Sequence, residues 1–275
     1  MEQSNEVLVR STLARIRRLR LRTVRQRTGL HFIEGFRPFL QVTDAHLPIE
    51  TVIYSEILAQ NPIVQKKVRL TKRDGVRVLR MSPEQFRSIS LTPRASGIGT
   101  ILPQHWTPLD QIDPHKGLCW VVVRALRSPG NLGTIIRTAG AVGAGGLILL
   151  EDSIDLFDPS IVRASMGGIF RLQVVRTTIQ AFALWSGQHA CDVLGTSPTA
   201  DSLYTEVPMA PPLMVLFGEE RKGLTPEEFA VCTHRARIPI VGSADSLNVG
   251  VAAGVILYEM LRRRPATTSR SIPNG

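Results

Sequence analysis

The chain has 275 residues, 43% of them hydrophobic and 20% charged, with a formal net charge of +10. That composition excludes a disordered polymer and leaves enough apolar material for one large or two small domains. The longest weakly polar run, residues 139–150, is 12 residues long, short of the roughly 18 that a spanning helix needs. The first ten residues carry no charged-then-apolar leader, so a cytoplasmic chain with no membrane partner is expected.

The basic charge is front-loaded. Residues 1–113 hold 18 Lys and Arg against 10 Asp and Glu, while residues 114–275 hold 15 against 13. Residues 1–30 alone carry eight arginines, opposed only by Glu2 and Glu6. A helical arm is expected there, with Arg15, Arg18, Arg22 and Arg25 along one face and Leu13, Ile16, Leu19 and Val24 anchoring another. Such a block implies a polyanion, because neutralising phosphates releases counterions. A solvated helix face or an Arg-rich transit segment are the alternatives.

Residues 30–103 alternate β-rich and helical runs: "LHFIEG", "FRPFLQVTDA", "ETVIYSE", a helical "ILAQNPIVQKKVRL", "VRVLRM", "SPEQFRSIS" and "GIGTILP". Ser82 followed by Pro83, with Gln85 three positions beyond the serine, predicts a capped helix start. The proline-containing stretch "PQHWTPLDQIDPHKG" reads as a linker. From Cys119 the run "CWVVVRAL" suits a strand buried on both faces. Beyond it the pattern predicts helices over 131–142, 159–165, 178–186, 225–232 and 246–263. Strands are predicted over 146–151, 173–176, 190–196, 213–218 and 236–240. Such alternation gives a mainly parallel sheet covered by helices.

Cys119, Cys191 and Cys232 show no CxxC spacing and the histidines no HExxH pairing, so neither disulfides nor a metal are expected. Gly130 and Gly133 miss the GxGxxG spacing of dinucleotide binders, and no P-loop exists. Three strand ends nevertheless carry glycine with polar residues. The first is "SPGNLGTIIRTAG", where Asn131 is a candidate helix cap and Arg137 stands among small and apolar neighbours, as a buried arginine needing an anion would. The second is "FGEERKGLTPEE", where Thr225 is a candidate cap before Pro226. The third is "IPIVGSADSLNVG", where Ser246 or Asn248 is expected to cap the last helix. Ligands of open α/β sheets bind beyond the carboxyl ends of strands, so the three converge on one crevice if their strands lie close together.

These stretches resemble the SpoU class of the SPOUT superfamily, RNA ribose 2'-O-methyltransferases that use S-adenosylmethionine. The match runs through Asn131, Gly133 and Arg137, then Gly218, Glu220, Gly223 and Leu224, then Ile238, Pro239, Gly242, Ser246, Leu247 and Asn248. Residues 28–102 resemble, more weakly, the small ribosomal-protein-like domain that often precedes the catalytic one. The resemblance implies an α/β fold in two parts: a small α/β/α substrate-binding domain, then a mainly parallel sheet closed by a deep trefoil knot. It divides the chain into a basic helical arm (1–28), an RNA substrate-binding domain (29–103), a linker (104–117), a methyltransferase domain (118–264) and a tail (265–275).

The resemblance also assigns roles. Arg137, Asn131, Glu220, Ser246 and Asn248 are the expected catalytic set, with Glu220 either pairing with Arg137 or fixing its loop. Gly218, Gly223, Ile238, Ile240, Gly242 and Leu247 are expected around the cofactor, and Arg15, Arg18, Arg22, Arg25 and Arg37 on the RNA. A homodimer and an RNA substrate are implied, ribosomal RNA before transfer RNA; a non-catalytic RNA-binding protein is the other reading. Three positions depart from the family pattern: Gly250 stands where a small polar residue is common, Ile240 replaces methionine, and Gly140 replaces alanine or aspartate.

Overall fold

The computed structural model describes residues 2–264, so the expected tail over 265–275 lies outside the described residues. In chain order the elements are α1 (Glu2–Arg18), α2 (Arg22–Thr28), β1 (Leu30–Glu34), α3 (Phe36–Asp44), β2 (Thr51–Tyr54), α4 (Pro62–Arg73), β3 (Arg77–Arg80), α5 (Pro83–Arg87) and β4 (Ile98–Pro103). They continue as β5 (Trp120–Val123), α6 (Pro129–Val142), β6 (Gly146–Leu150), α7 (Pro159–Ala164), β7 (Gln173–Thr177), α8 (Ile179–Gln188), β8 (Asp192–Thr196), β9 (Leu213–Phe217), α9 (Pro226–Ala230), β10 (His234–Ala236) and α10 (Val249–Arg263). Two compact units result: Met1–Trp106 with Asp155–Arg171, and Thr107–Ile154 with the chain from Leu172 onward.

The first unit is built on a four-stranded sheet in the order β1-β4-β2-β3, antiparallel except where β2 and β3 run parallel. The expected capping box forms: Ser82 accepts from the Gln85 N–H and Gln85 from the Ser82 N–H. The apolar anchors of the arm are buried as expected, with Ile16 and Leu19 in one cluster with Phe32, Ile53 and Phe86. The arm is not one helix, however. It turns at residues 19–21, so Arg22 and Arg25 leave the face that carries Arg15 and Arg18.

Arg25 corrects the sequence reading outright. Its side chain is only 2% exposed and pairs with Asp155 and, at 3.2 Å, with Asp158, while Nη1 donates to the Leu19 carbonyl at 2.7 Å. A guanidinium enclosed this way holds the fold and cannot meet RNA. Arg15 is also engaged, bidentate with Glu50 at 2.6 Å. Arg18 and Arg37 are exposed.

His31 lies beside this pair, buried, its ring 4.6 Å from that of Phe157. Burial, reinforced by the Arg25 charge, lowers its pKa to about 3. The unfolded chain binds a proton near pH 6.5 and the folded one does not, so this contribution to stability is complete above pH 6.5. It is lost as pH falls from there toward 3, by up to about 1.4 kcal/mol per pH unit. Urea unfolding of His31→Phe and the parent between pH 7.5 and 4.5 should show the parent's stability falling more steeply; equal slopes would refute the assignment.

The second unit is a six-stranded sheet in the order β10-β8-β9-β5-β6-β7, parallel at every pairing. β5, β6 and β9 are buried at every residue, which is what helices on both faces of a parallel sheet require. The predicted strand over 236–240 is displaced to 234–236, because its partner β8 ends at Thr196 opposite Ala236. Arg237 instead exchanges backbone bonds with Ser202 and Tyr204, at 2.9 Å each, and Pro239 has no N–H to continue a ladder. Ile238 and Ile240 are thereby released from the sheet. α10 begins at Val249 rather than 246, since Asn248 caps it.

Candidate active site at the carboxyl ends of the parallel strands

Because all six strands run the same way, β5, β9 and β10 end on one edge of the sheet. β5 and β9 are direct neighbours, whereas β10 is separated from β9 by β8. The third motif returns through the chain after β10 rather than by strand adjacency.

The turn after β9 is closed tightly. A Cβ on Gly218 would lie 2.3 Å from the Gly223 carbonyl carbon, so no larger residue fits there. Glu219 and Gly223 exchange backbone hydrogen bonds of 3.0 and 2.9 Å, and Gly223 adopts φ +66°, where a side chain would be strained. Thr225 caps α9 in a capping box with Glu228, as its position before Pro226 predicts.

This turn presents Glu220 to the start of α6. Its carboxylate accepts from the Arg127 N–H (3.0 and 3.1 Å), the Ser128 N–H (3.1 Å) and Asn131 Nδ2 (3.1 Å). Burial raises the pKa of this group, but the hydrogen bonds from Arg127, Ser128 and Asn131 together outweigh it, and Glu220 is held below the usual carboxylate range. A negative charge at the amino end of a helix is also favoured by the helix dipole.

Asn131 is therefore not the α6 cap. The helix begins at Pro129 after Ser128, and Asn131 passes the connection on: its Oδ1 accepts from Asn248 Nδ2 at 2.9 Å. Asn248 Oδ1 in turn accepts from the N–H groups of Gly250 (2.9 Å) and Val251 (3.3 Å). Three residues drawn from three motifs thus form one hydrogen-bonded chain, Glu220–Asn131–Asn248, tying the β9 turn to the starts of α6 and α10. Gly250, a departure at the sequence level, has a reason here: its Cβ would come within 3.2 Å of Thr134 on α6.

Arg137 lies outside this relay, and the burial expected for it is wrong. α6 buries Leu132, Gly133, Ile135, Ile136, Ala139 and Val142, and Arg137 falls roughly 100° round the helix from Ile136, on the exposed side. It has no hydrogen bond or ion pair among the described residues. Glu220 fixes its loop and does not pair with Arg137.

Beside the relay is a cavity of about 280 Å³ lined by Gly218, Gly223, Ile238, Ile240, Ser246 and Leu247 among others. Five of the six expected cofactor residues are in its wall. Gly242 is not; it lies in the stretch 241–248, exposed throughout, so the cofactor role expected of it is not supported. The wall also includes Thr196, Ser197, Pro198 and Thr199, which sequence reading missed. Their signal was another strand end followed by a Ser-Pro turn. Apolar Ile238, Ile240 and Leu247 against backbone groups of the Gly218–Gly223 turn suit a small molecule with a flat apolar part and a polar end. Among the described residues no three or more His, Cys, Asp or Glu gather to hold a metal ion, and no helix is long and apolar enough to cross a membrane.

If the relay organises the site, Glu220→Ala releases both the 127–128 turn and Asn131. Loss of charge-assisted hydrogen bonds of this kind, about 1.5–3 kcal/mol, predicts the reaction of the site slowed about 10- to 100-fold. A folded Glu220→Ala protein with undiminished single-turnover rate would remove the relay from the mechanism.

Comparison with known proteins places this geometry. Residues 119–258 match the model of the SpoU rRNA Methylase family, more than half of the chain. The chain belongs to that family. Residues 11–99 match the MRM3-like substrate binding domain. Among solved structures, an rRNA methyltransferase from Sinorhizobium meliloti with AdoMet bound superposes with a TM-score of 0.84 at 32% identity, covering 93% of this chain and 95% of that one. The SpoU methyltransferase AviRb from Streptomyces viridochromogenes, in complex with AdoMet, superposes with a TM-score of 0.81 at 29% identity, over 92% and 97%. The 23S rRNA (uridine(2479)-2'-O)-methyltransferase of the same organism is 29% identical over 259 residues, 92% of this chain and 89% of that one. The SpoU match covers most of the second unit together with the 155–171 segment of the first, and its three motifs are the ones that the relay and the cavity bring together.

Proposed function

We propose that the protein methylates a ribose 2'-hydroxyl of 23S ribosomal RNA, using S-adenosylmethionine. The observation that carries this reading is the Glu220–Asn131–Asn248 chain beside a glycine-walled cavity at the ends of a parallel sheet, in a SpoU domain. Gly218, Gly223, Ile238, Ile240 and Leu247 would hold the cofactor, which when bound supplies an electrophilic methyl on a sulfonium sulfur. Ser246, in the cavity wall, keeps the mouth before α10 polar. The products would be a 2'-O-methyl ribose and the demethylated cofactor, with the hydroxyl proton released to solvent.

Asn131 and Asn248 are held with their amides fixed by Glu220 and by the α10 backbone, ready to position a ribose without reorganisation. Arg137, with its guanidinium free on α6, steers phosphate and stabilises negative charge developing on the attacking oxygen. An apolar stripe on α10, with Val251 at 54% and Tyr258 at 55% exposure and Leu261 beyond them, supports the homodimer expected of such enzymes. The reading carries with it a cytoplasmic location, where bacterial ribosomal RNA resides.

The test is transfer of labelled methyl from S-adenosylmethionine to deproteinised ribosomal and transfer RNA, assayed separately and digested to nucleosides. A 2'-O-methylnucleoside in 23S RNA is expected. A product in transfer RNA alone would move the substrate, and cofactor binding without transfer to either RNA would count against the reading.

A further inference from the structure

The sequence places the RNA-binding charge on the amino-terminal arm, but the structure has put those arginines to other uses. Arg25 is buried, Arg15 holds Glu50, Arg17 donates to Ser88 and Arg20 to the Ile89 and Ser90 carbonyls. The arm is fastened to its own unit by these bonds, which leaves few of its cations free.

A second concentration of charge in the same unit is free. Residues 62–80 carry seven Lys and Arg against the single acid Asp74. Only two of the seven are occupied, Lys67 with Asp44 at 2.7 Å and Arg80 with Glu56 at 3.2 Å. Lys66, Arg69, Lys72, Arg73 and Arg77 are exposed and have no hydrogen bond or ion pair among the described residues. Lys66, Arg69 and Arg73 follow i, i+3, i+7 spacing on α4, about one cation every 5 Å of helix axis. Between α4 and β3 lies a cleft of about 450 Å³, lined by Tyr54, Gln65, the free cations Arg69 and Lys72, and the Arg80–Glu56 pair.

Cations spread along a cleft, rather than converging on one point, match an extended chain of phosphates and not a single anion. We propose that the α4–β3 cleft is the main RNA-backbone seat of the substrate-binding unit, a surface that positions RNA rather than reading its sequence. This rests on the RNA methyltransferase reading. The rival explanation is that Arg77 and Arg80 only guard β3, one of the two edge strands of its sheet, against aggregation.

The test is equilibrium binding of deproteinised 23S ribosomal RNA to the full chain across a salt series. It compares the parent, Arg69→Gln/Lys72→Gln/Arg80→Gln, and Arg18→Gln/Arg27→Gln on the arm. The cleft variant should bind at least about tenfold more weakly, with a log–log salt slope shallower by about 2 for the loss of the two free cations Arg69 and Lys72, while S-adenosylmethionine affinity stays within about twofold as a check on folding. An unchanged slope in the cleft variant, with the arm pair carrying the loss or the cleft variant merely aggregating, overturns the cleft and leaves the methyltransferase reading standing. A parent that binds this RNA with no salt dependence overturns the cleft through the reading on which it rests.

Discussion

Arg137→Ala should slow single-turnover methyl transfer by about 100-fold or more, the scale on which removing one preorganised charge donor acts. S-adenosylmethionine affinity should change little, because Arg137 is not in the wall of the cavity. The prediction rests on where the residue lies. It stands on the exposed side of α6, less than two turns from Asn131 on the same helix, with no partner among the described residues to neutralise it. An unpaired guanidinium is available to a phosphate or to a ribose oxygen, as a charge and a hydrogen-bond donor. Arg137→Lys keeps the charge but loses the planar fork, so an intermediate rate is expected. A rate for Arg137→Ala equal to that of the parent would sink the electrostatic role.

What was legible in the sequence was local. The all-buried β5, β6 and β9 are visible as unbroken β-branched and aliphatic runs, and the caps at Ser82 and Thr225 follow from side chains three residues from their partners. The three glycine-marked strand ends were visible too, because glycine is required where Gly218 meets Gly223 and where Gly223 turns left-handed. What was not legible depended on partners distant in sequence. Asn131 looks like a cap until Glu220, 89 residues away, is found accepting the N–H groups in front of the helix. The principle that a buried arginine needs an anion was sound, but it belonged to Arg25 and not to Arg137. A window of neighbours shows that a residue's surroundings are apolar; it does not show which side of the helix faces them. The domain division has the same origin. The 155–171 segment lies between two strands of the second unit's sheet, yet it packs in the first unit, and nothing periodic in "DLFDPSIVRASMGG" announces that.

Arg25 supplies the second large effect. Arg25→Met should destabilise the first unit by about 3–5 kcal/mol, the range for removing one partner of a buried ion pair. Most of this comes from the Asp155 carboxylate, only 14% exposed and left without its cation. Asp158 contributes less, since it is 39% exposed and also caps α7 by accepting from the Ser160 N–H at 2.9 Å. The cost therefore lies mainly in a stranded charge and not in the worth of the pair itself, and this can be separated by experiment. Arg25→Met/Asp155→Leu removes both charges and should recover more than half of the loss, because an apolar pair of similar volume avoids the desolvation that the ions required. Urea unfolding, followed by hydrogen exchange of the first unit's backbone amides, reads that unit's transition in the full chain. The arm would then be a structural strap whose arginines hold it down: a single variant within about 1 kcal/mol of the parent would contradict this, and a double variant no better than the single would show that Arg25 acts through its packing and its Leu19 hydrogen bond instead of its charge.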